Sequence, residues 1–241
     1  MSRVLAFAAF SMLAMLGWAD DGHVIENGTA YHIGGVTRIR MVDEHVTILL
    51  SEDFATVKCH FTFRNEGPAE TATIGFPDRS GGEGGHAPAM TDFTSTVDGT
   101  PVQTKLADNG SDPNDQYWNY FHVKKAKFAR GQTRVIEDSY RTPLGYGVGV
   151  KWSFTYVMST GGSWYGNIGS AIVDVTVAGR HDKTPVKISQ VDHYRGNAPV
   201  SPILWRGFAM PTVKGSTLTF SRQNFKPTKR SDVALLVMTR I

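Results

Sequence analysis

Few residues of this 241-residue chain stand in patterns that could do chemistry, and each can be weighed by type and spacing. Gly161-Gly162-Ser163-Trp164-Tyr165-Gly166 sets a serine among glycines. A serine nucleophile of the G-x-S-x-G kind needs a strand-turn-helix setting. Here the spacing is one residue off and no helical stretch follows, so a serine hydrolase is not expected. Gly145-x-Gly147-x-Gly149 leads into a strand, whereas a dinucleotide site needs glycines that open onto a helix N-terminus. Eight histidines raise metal chemistry. His181-Asp182 and Asp192-His193 flank a strand expected over 185–191. At about 3.3 Å per residue they lie more than roughly 20 Å apart, too far to share an ion. Asp21-Gly22-His23 would hold square-planar copper only if a leader were cut just before Asp21. The segment Asp108-Asn109-Gly110-Ser111-Asp112-Pro113-Asn114-Asp115 is the calcium candidate. Asp108, Asp112 and Asp115 would be its hard oxygen ligands, although the spacing departs from the D-x-[DN]-x-[DN]-G loop.

Acids and aromatic rings complete the candidates. Asp43, Glu44, Glu137 and Asp138 are the paired acids in strand-like context, and a glycosidase would need two of them about 5–10 Å apart in a cleft. Nothing in their spacing brings them together. Tyr117, Trp118, Tyr120, Trp164 and Tyr165 are the candidate ligand-binding rings, of a kind suited to stacking on sugars. Tyr117 and Trp118 are adjacent in a strand, so at least one of them should face solvent. No acid, base, nucleophile or ligand set converges, so neither an enzyme nor a cofactor is expected.

The elements that must carry these groups read as strands. Ala55, Val57, Cys59, Phe61 and Phe63 alternate with Thr56, Lys58, His60, Thr62 and Arg64. This period of two places the first set in a core and the second, His60 included, on the solvent face. Asn65-Glu66-Gly67-Pro68 and Asp98-Gly99-Thr100-Pro101 are turn signals. Further strands are expected over 36–42, 45–50, 69–76, 92–97, 101–106, 117–124 and 132–140. Beyond the glycine-punctuated stretch 143–149 they continue over 150–158, 170–178, 185–191, 202–206, 212–221 and 231–240. The expectation is an all-β protein of two tandem antiparallel Ig-like β-sandwiches, residues 20–142 and 143–241. The glycine-rich loop over Ser80–Pro88 would be a mobile connection or a contact loop at one sandwich end.

The first residues have a different character. Arg3 precedes the apolar run Val4–Leu16, and Gly17-Trp18-Ala19 offers small residues before Asp20. That pattern is a signal peptide over 1–19, too short for the roughly 20 apolar residues of a membrane span. Export implies a secreted, periplasmic or cell-envelope location. Cys59 is the single cysteine, so no intrachain disulfide can form. The net charge is +3, falling to +2 without the leader, which argues against a nucleic-acid partner. Lys124, Lys125, Lys127 and Arg130 form the densest basic cluster and read as a solvated strand and turn.

Three stretches carry a resemblance. They are Met41-Val42-Asp43-Glu44 with Phe61-Thr62-Phe63-Arg64-Asn65 and Ile74-Gly75-Phe76-Pro77; Tyr156–Gly161 leading into Trp164–Gly169; and Asn224-Phe225-Lys226-Pro227-Thr228 with Asp232. In this order they resemble a family of secreted bacterial β-sandwich proteins defined as a domain of unknown function. The first stretch is also similar to the vault and inter-alpha-trypsin inhibitor domain. The resemblance implies a fold and a compartment, and no catalytic residue. The function expected is a non-catalytic extracytoplasmic binding or structural module, with a cell-envelope protein or glycan as partner. The alternative is a carbohydrate-binding or carbohydrate-active protein using an aromatic-lined β face.

Overall fold

The computed structural model describes residues 23–82, 87–111, 117–147, 149–178, 188–190 and 203–238. Residues 1–19, expected as a leader, and Asp112, Asp115, His181 and His193 lie outside these residues. β1 (His23–Gly28) and β2 (Tyr31–Ile33) precede the long strands β3 (Ile39–Leu50), β4 (Phe54–Asn65) and β5 (Glu70–Gly82). Next come β6 (Thr91–Val97), β7 (Thr100–Pro101), β8 (Lys105–Ser111), β9 (Tyr117–Phe128) and β10 (Thr133–Pro143). The remaining strands are β11 (Gly145–Gly147), β12 (Val150–Val157), β13 (Ile168–Val177) and β14 (Ile188–Gln190), then β15 (Ile203–Arg206), β16 (Thr212–Lys214), β17 (Thr217–Phe225) and β18 (Val233–Met238). The only helical pieces among the described residues are short 3-10 turns. No described helix is long and apolar enough to cross a membrane.

β4 follows its alternation. Ala55, Val57, Cys59, Phe61 and Phe63 are buried, while Lys58, His60 and Arg64 are exposed. Asn65 closes the strand with its side chain, donating to the Pro68 carbonyl at 2.6 Å and accepting from the Gly67 amide at 2.9 Å. The Asp98-Gly99 signal becomes the two-residue loop between β6 and β7, with both residues at positive φ as a tight hairpin turn requires.

The described strands form two mixed sheets and no barrel. Sheet A runs β14-β15-β18-β12-β11-β1-β5-β9-β8, with β2 also on β5; sheet B runs β16-β17-β13-β3-β4-β10-β6-β7. The pairing does not show two tandem Ig-like sandwiches. Strands from either side of residue 143 form adjoining lobes of the same two sheets, over one contiguous hydrophobic cluster. Two parallel seams join the lobes. In sheet A, Glu26, Asn27 and Gly28 of β1 pair with Thr155, Tyr156 and Val157 of β12; in sheet B, Ser170–Val177 of β13 pairs with Asp43–Leu50 of β3. Each seam holds a glycine against its partner's backbone. A Cβ on Gly28 would lie 2.4 Å from the Val157 carbonyl oxygen, and one on Gly169 would lie 2.3 Å from that of Val42.

β3 joins what read as two strands, 36–42 and 45–50. A β-bulge between Met41 and Asp43 links them and shifts the alternation by one residue. Met41 and Val46 both remain buried, and Glu44 turns inward to zero exposure.

Candidate functional site

The sequence-derived candidates do not assemble into one site. Glu44 and Asp138 point into the core, whereas Asp43 is half-buried and Glu137 exposed. Glu44 Oε1 accepts hydrogen bonds from Thr29 and from the Tyr156 hydroxyl, the latter at 3.1 Å. Cys59 Sγ lies 3.6 Å from that same hydroxyl. Glu44 Oε2 has no hydrogen-bond partner among the described residues. Burial pushes the Glu44 carboxyl up to about 7, against the opposing pull of its Thr29 and Tyr156 hydrogen bonds. Burial likewise lifts the Cys59 thiol well above its ordinary value, so it is a core group rather than a reactive one. Asp138 is ion-paired with Lys124, both buried. This corrects the expectation of a solvated Lys124: it shares the inner face of β9 with Ala126 and Phe128, and Asp138 compensates its charge.

The aromatic set is dispersed. Tyr120 is mostly buried, and Trp164 is interior, donating from Nε1 to the Ala30 carbonyl at 2.7 Å and packing on Phe63 at 4.4 Å. Trp118 is half-buried on β9, next to Tyr117 in the same strand. Tyr165 is half-buried under the Arg38 guanidinium at 4.7 Å, and its amide bonds the Ile39 carbonyl. Ile39 pairs with Asn65, whose side chain reaches the Phe128 carbonyl at the far end of β9 from Trp118. Ten residues of strand, about 33 Å at 3.3 Å each, therefore separate the Trp118 end from the Tyr165 end. Asp108 accepts the Trp118 indole N–H at 2.9 Å and the Gly110 amide at 2.8 Å, so its Oδ1 fixes a turn and a ring. No group of three or more His, Cys, Asp or Glu side chains that could hold a metal ion occurs among the described residues.

A different surface does bring polar groups together. Cross-strand register on the outer face of sheet B aligns Thr96, Glu137, His60 and His45 in one row. The adjacent row holds Thr94, Ser139, Lys58, Thr47, Asp174 and Thr219. Rows lie about 7 Å apart and neighbouring strands about 4.8 Å. Over β4 and β10 the short Thr94, Thr96, Ser139 and Thr47 side chains leave a depression of about 280 Å³ among the longer His45, Lys58, His60 and Glu137. That lies just below the usual range for ligand pockets, roughly 300–1,000 Å³.

Carboxylates on neighbouring strands hold its imidazoles. His45 Nε2 lies 2.9 Å from Asp174 Oδ2, and Thr219 donates to Asp174 Oδ1 at 2.5 Å. His60 Nδ1 lies 3.4 Å from Glu137 Oε1, and Thr96 donates to Glu137 Oε2 at 3.3 Å. The Thr94 and Ser139 hydroxyls bond each other at 2.8 Å. Lys58 has no ion-pair partner among the described residues, although it is exposed in the middle of its row. Such a face can orient a small polar molecule by hydrogen bonding.

No protein-family model matches the chain, and no curated protein is similar to it. Among solved structures it is similar to a "putative nutrient binding protein" of Legionella pneumophila, with a TM-score of 0.66, 20% identity, and coverage of 91% of this chain and 73% of that one. It also aligns with an M1 zinc metallopeptidase of Deinococcus radiodurans at a TM-score of 0.41 and 9% identity, over 84% of this chain and 43% of that one. What the chain shares with the Legionella protein is a fold.

Proposed function

We propose that this protein is an extracytoplasmic binding module, without a reaction of its own, that holds a small polar ligand on the outer face of sheet B. The carrying observation is the depression over β4 and β10, where two rows of polar side chains from four strands meet and partners fix both histidines. Prior fixing lowers the ordering cost of binding. The fold shared with a protein described as nutrient binding supports a binding role, and the leader over 1–19 supports an extracytoplasmic one. The resemblance to secreted β-sandwich families points the same way. The polar face is preferred to the aromatic one because the Trp118 and Tyr165 rings sit at opposite strand ends.

Two measurements test this reading. Protein recovered from the cell envelope should begin at Asp20; recovery from the cytoplasm with Met1 intact would refute the location. A small-molecule library screened by NMR should move Thr47, Lys58, His60, Thr94 and Thr96 resonances together. Hits that perturb only other surfaces, or no hits, would remove the site.

A further inference from the structure

We infer that the ligand is a small oxyanion, a molecule that presents a carboxylate or phosphoryl group to Lys58, His60 and His45. The inference rests on the binding reading above and specifies its chemistry. It follows from asking which hydrogen-bonding capacity on this face is already used. All four carboxylate oxygens of Asp174 and Glu137 already have a partner: His45 and Thr219 for the first, His60 and Thr96 for the second. What remains is mainly donor capacity. Lys58 offers three N–H groups with no ion-pair partner among the described residues, Thr47 offers a hydroxyl, and the Thr94–Ser139 pair keeps one hydroxyl hydrogen free.

The histidines complete the arrangement. His45 uses Nε2 and His60 uses Nδ1 to reach their carboxylates, which leaves the opposite nitrogen of each ring without a partner among the described residues. An imidazolium donates from both nitrogens at once. With an oxyanion in front, a ring protonated on both nitrogens would donate to it and to the carboxylate behind at once. Register places the donors close enough to act together. His45 and His60 are direct cross-strand partners, as are Thr47 and Lys58 in the next row. Charge-assisted hydrogen bonds of this kind are roughly twice as strong as neutral ones, which selects an anion over a neutral polyol. The flanking charges on this face include Asp43, half-buried toward the bulge, with exposed Arg64 beyond it, and on the other side Arg141, which stacks 3.9 Å from the Phe54 ring and lies 4.0 Å from Asp92.

The test is an NMR titration of the mature protein with inorganic phosphate, with succinate and with glycerol, repeated on Lys58→Gln. Thermal unfolding of the variant controls for folding, which an exposed Lys→Gln change should leave intact. Saturable shifts at His45 and His60 with phosphate alone would assign a phosphoryl group, and with succinate alone a carboxylate. Either result supports the inference if Lys58→Gln weakens the interaction at least tenfold. Glycerol moving the same resonances as strongly as both anions would overturn the inference and leave the binding reading standing. No response to either anion, or equal affinity in Lys58→Gln, would also overturn it, and the library screen would then decide the binding reading separately.

Discussion

Replacing Glu44 by Gln should change how stability depends on pH more than it changes stability itself. Glu44 is wholly buried at the lobe seam, bonded through Oε1 to Thr29 of the β1–β2 connection and Tyr156 of β12, while Oε2 lacks a partner among the described residues. Burial raises its carboxyl from 4.5 to about 7. The folded protein therefore holds this proton more tightly than the unfolded chain. The stabilisation is fully present below pH 4.5 and is lost as pH rises through about 7. Linkage between those two values makes the loss about 2.5 kcal/mol between roughly pH 5 and pH 8. Glutamine cannot ionise, so Glu44→Gln lacks this term, and any constant cost of the new amide cancels when the two pH values are compared. Urea unfolding of both proteins across that range reads the difference directly. At about 2–4 °C per kcal/mol, a melting curve should show a relative gain of roughly 5–10 °C for the variant at the higher pH. Asp232, which burial also raises, remains in both proteins and drops out of the comparison. Parallel stability curves for the two proteins would refute the reasoning, because they would mean that Glu44 titrates alike in the folded and unfolded chain.

Other consequences are more local. Gly28→Ala and Gly169→Ala each drive a Cβ into a partner carbonyl across a seam, so each should cost about 1–3 kcal/mol in urea unfolding, whereas Gly35→Ala, with open space around it, should not clash. Lys124→Met strands the buried Asp138 charge and should cost about 3–5 kcal/mol, while Lys124→Met with Asp138→Leu should recover most of it; equal losses in single and double variants would deny the pairing. Cys59 should resist a thiol reagent in the folded protein and react once urea unfolds it, since its thiol is interior and held well above its ordinary range. Rapid labelling of the folded chain would place Cys59 outside the core.

Local patterning made the strands legible and long-range pairing hid how they join. The alternation through Val57, Cys59 and Phe61 is a one-dimensional signal, and the structure keeps it residue for residue. The Asp98-Gly99 hairpin is equally local. The seams are not: Glu26 pairs with Thr155, and parallel pairs have no connecting turn for a sequence to display. Hence the stretch 143–149 read as a division between sandwiches, although the sheets continue past it. Glu44 owes its inward side to a different feature. The extra residue of the bulge joins the stretches 36–42 and 45–50, and because Glu44 falls between them the alternation of neither assigns it a side. Lys124 and Asp138 each look solvent-facing until the two sheets bring them together.

The polar face was half-visible. A turn over 51–54 makes Leu50 oppose Ala55, and counting outward from that pair sets His45 opposite His60. Asp174 and Glu137 come from strands far along the chain, so only the three-dimensional pairing supplies the groups that hold the two rings.

The most direct measurement is a crystal structure of the protein grown with the molecule that an extract of its own cells loads onto it. The binding account predicts electron density over β4 and β10, within hydrogen-bonding distance of Lys58 and His60. Density seated beside Trp118 or Tyr165, with the face of sheet B left to solvent, would contradict it.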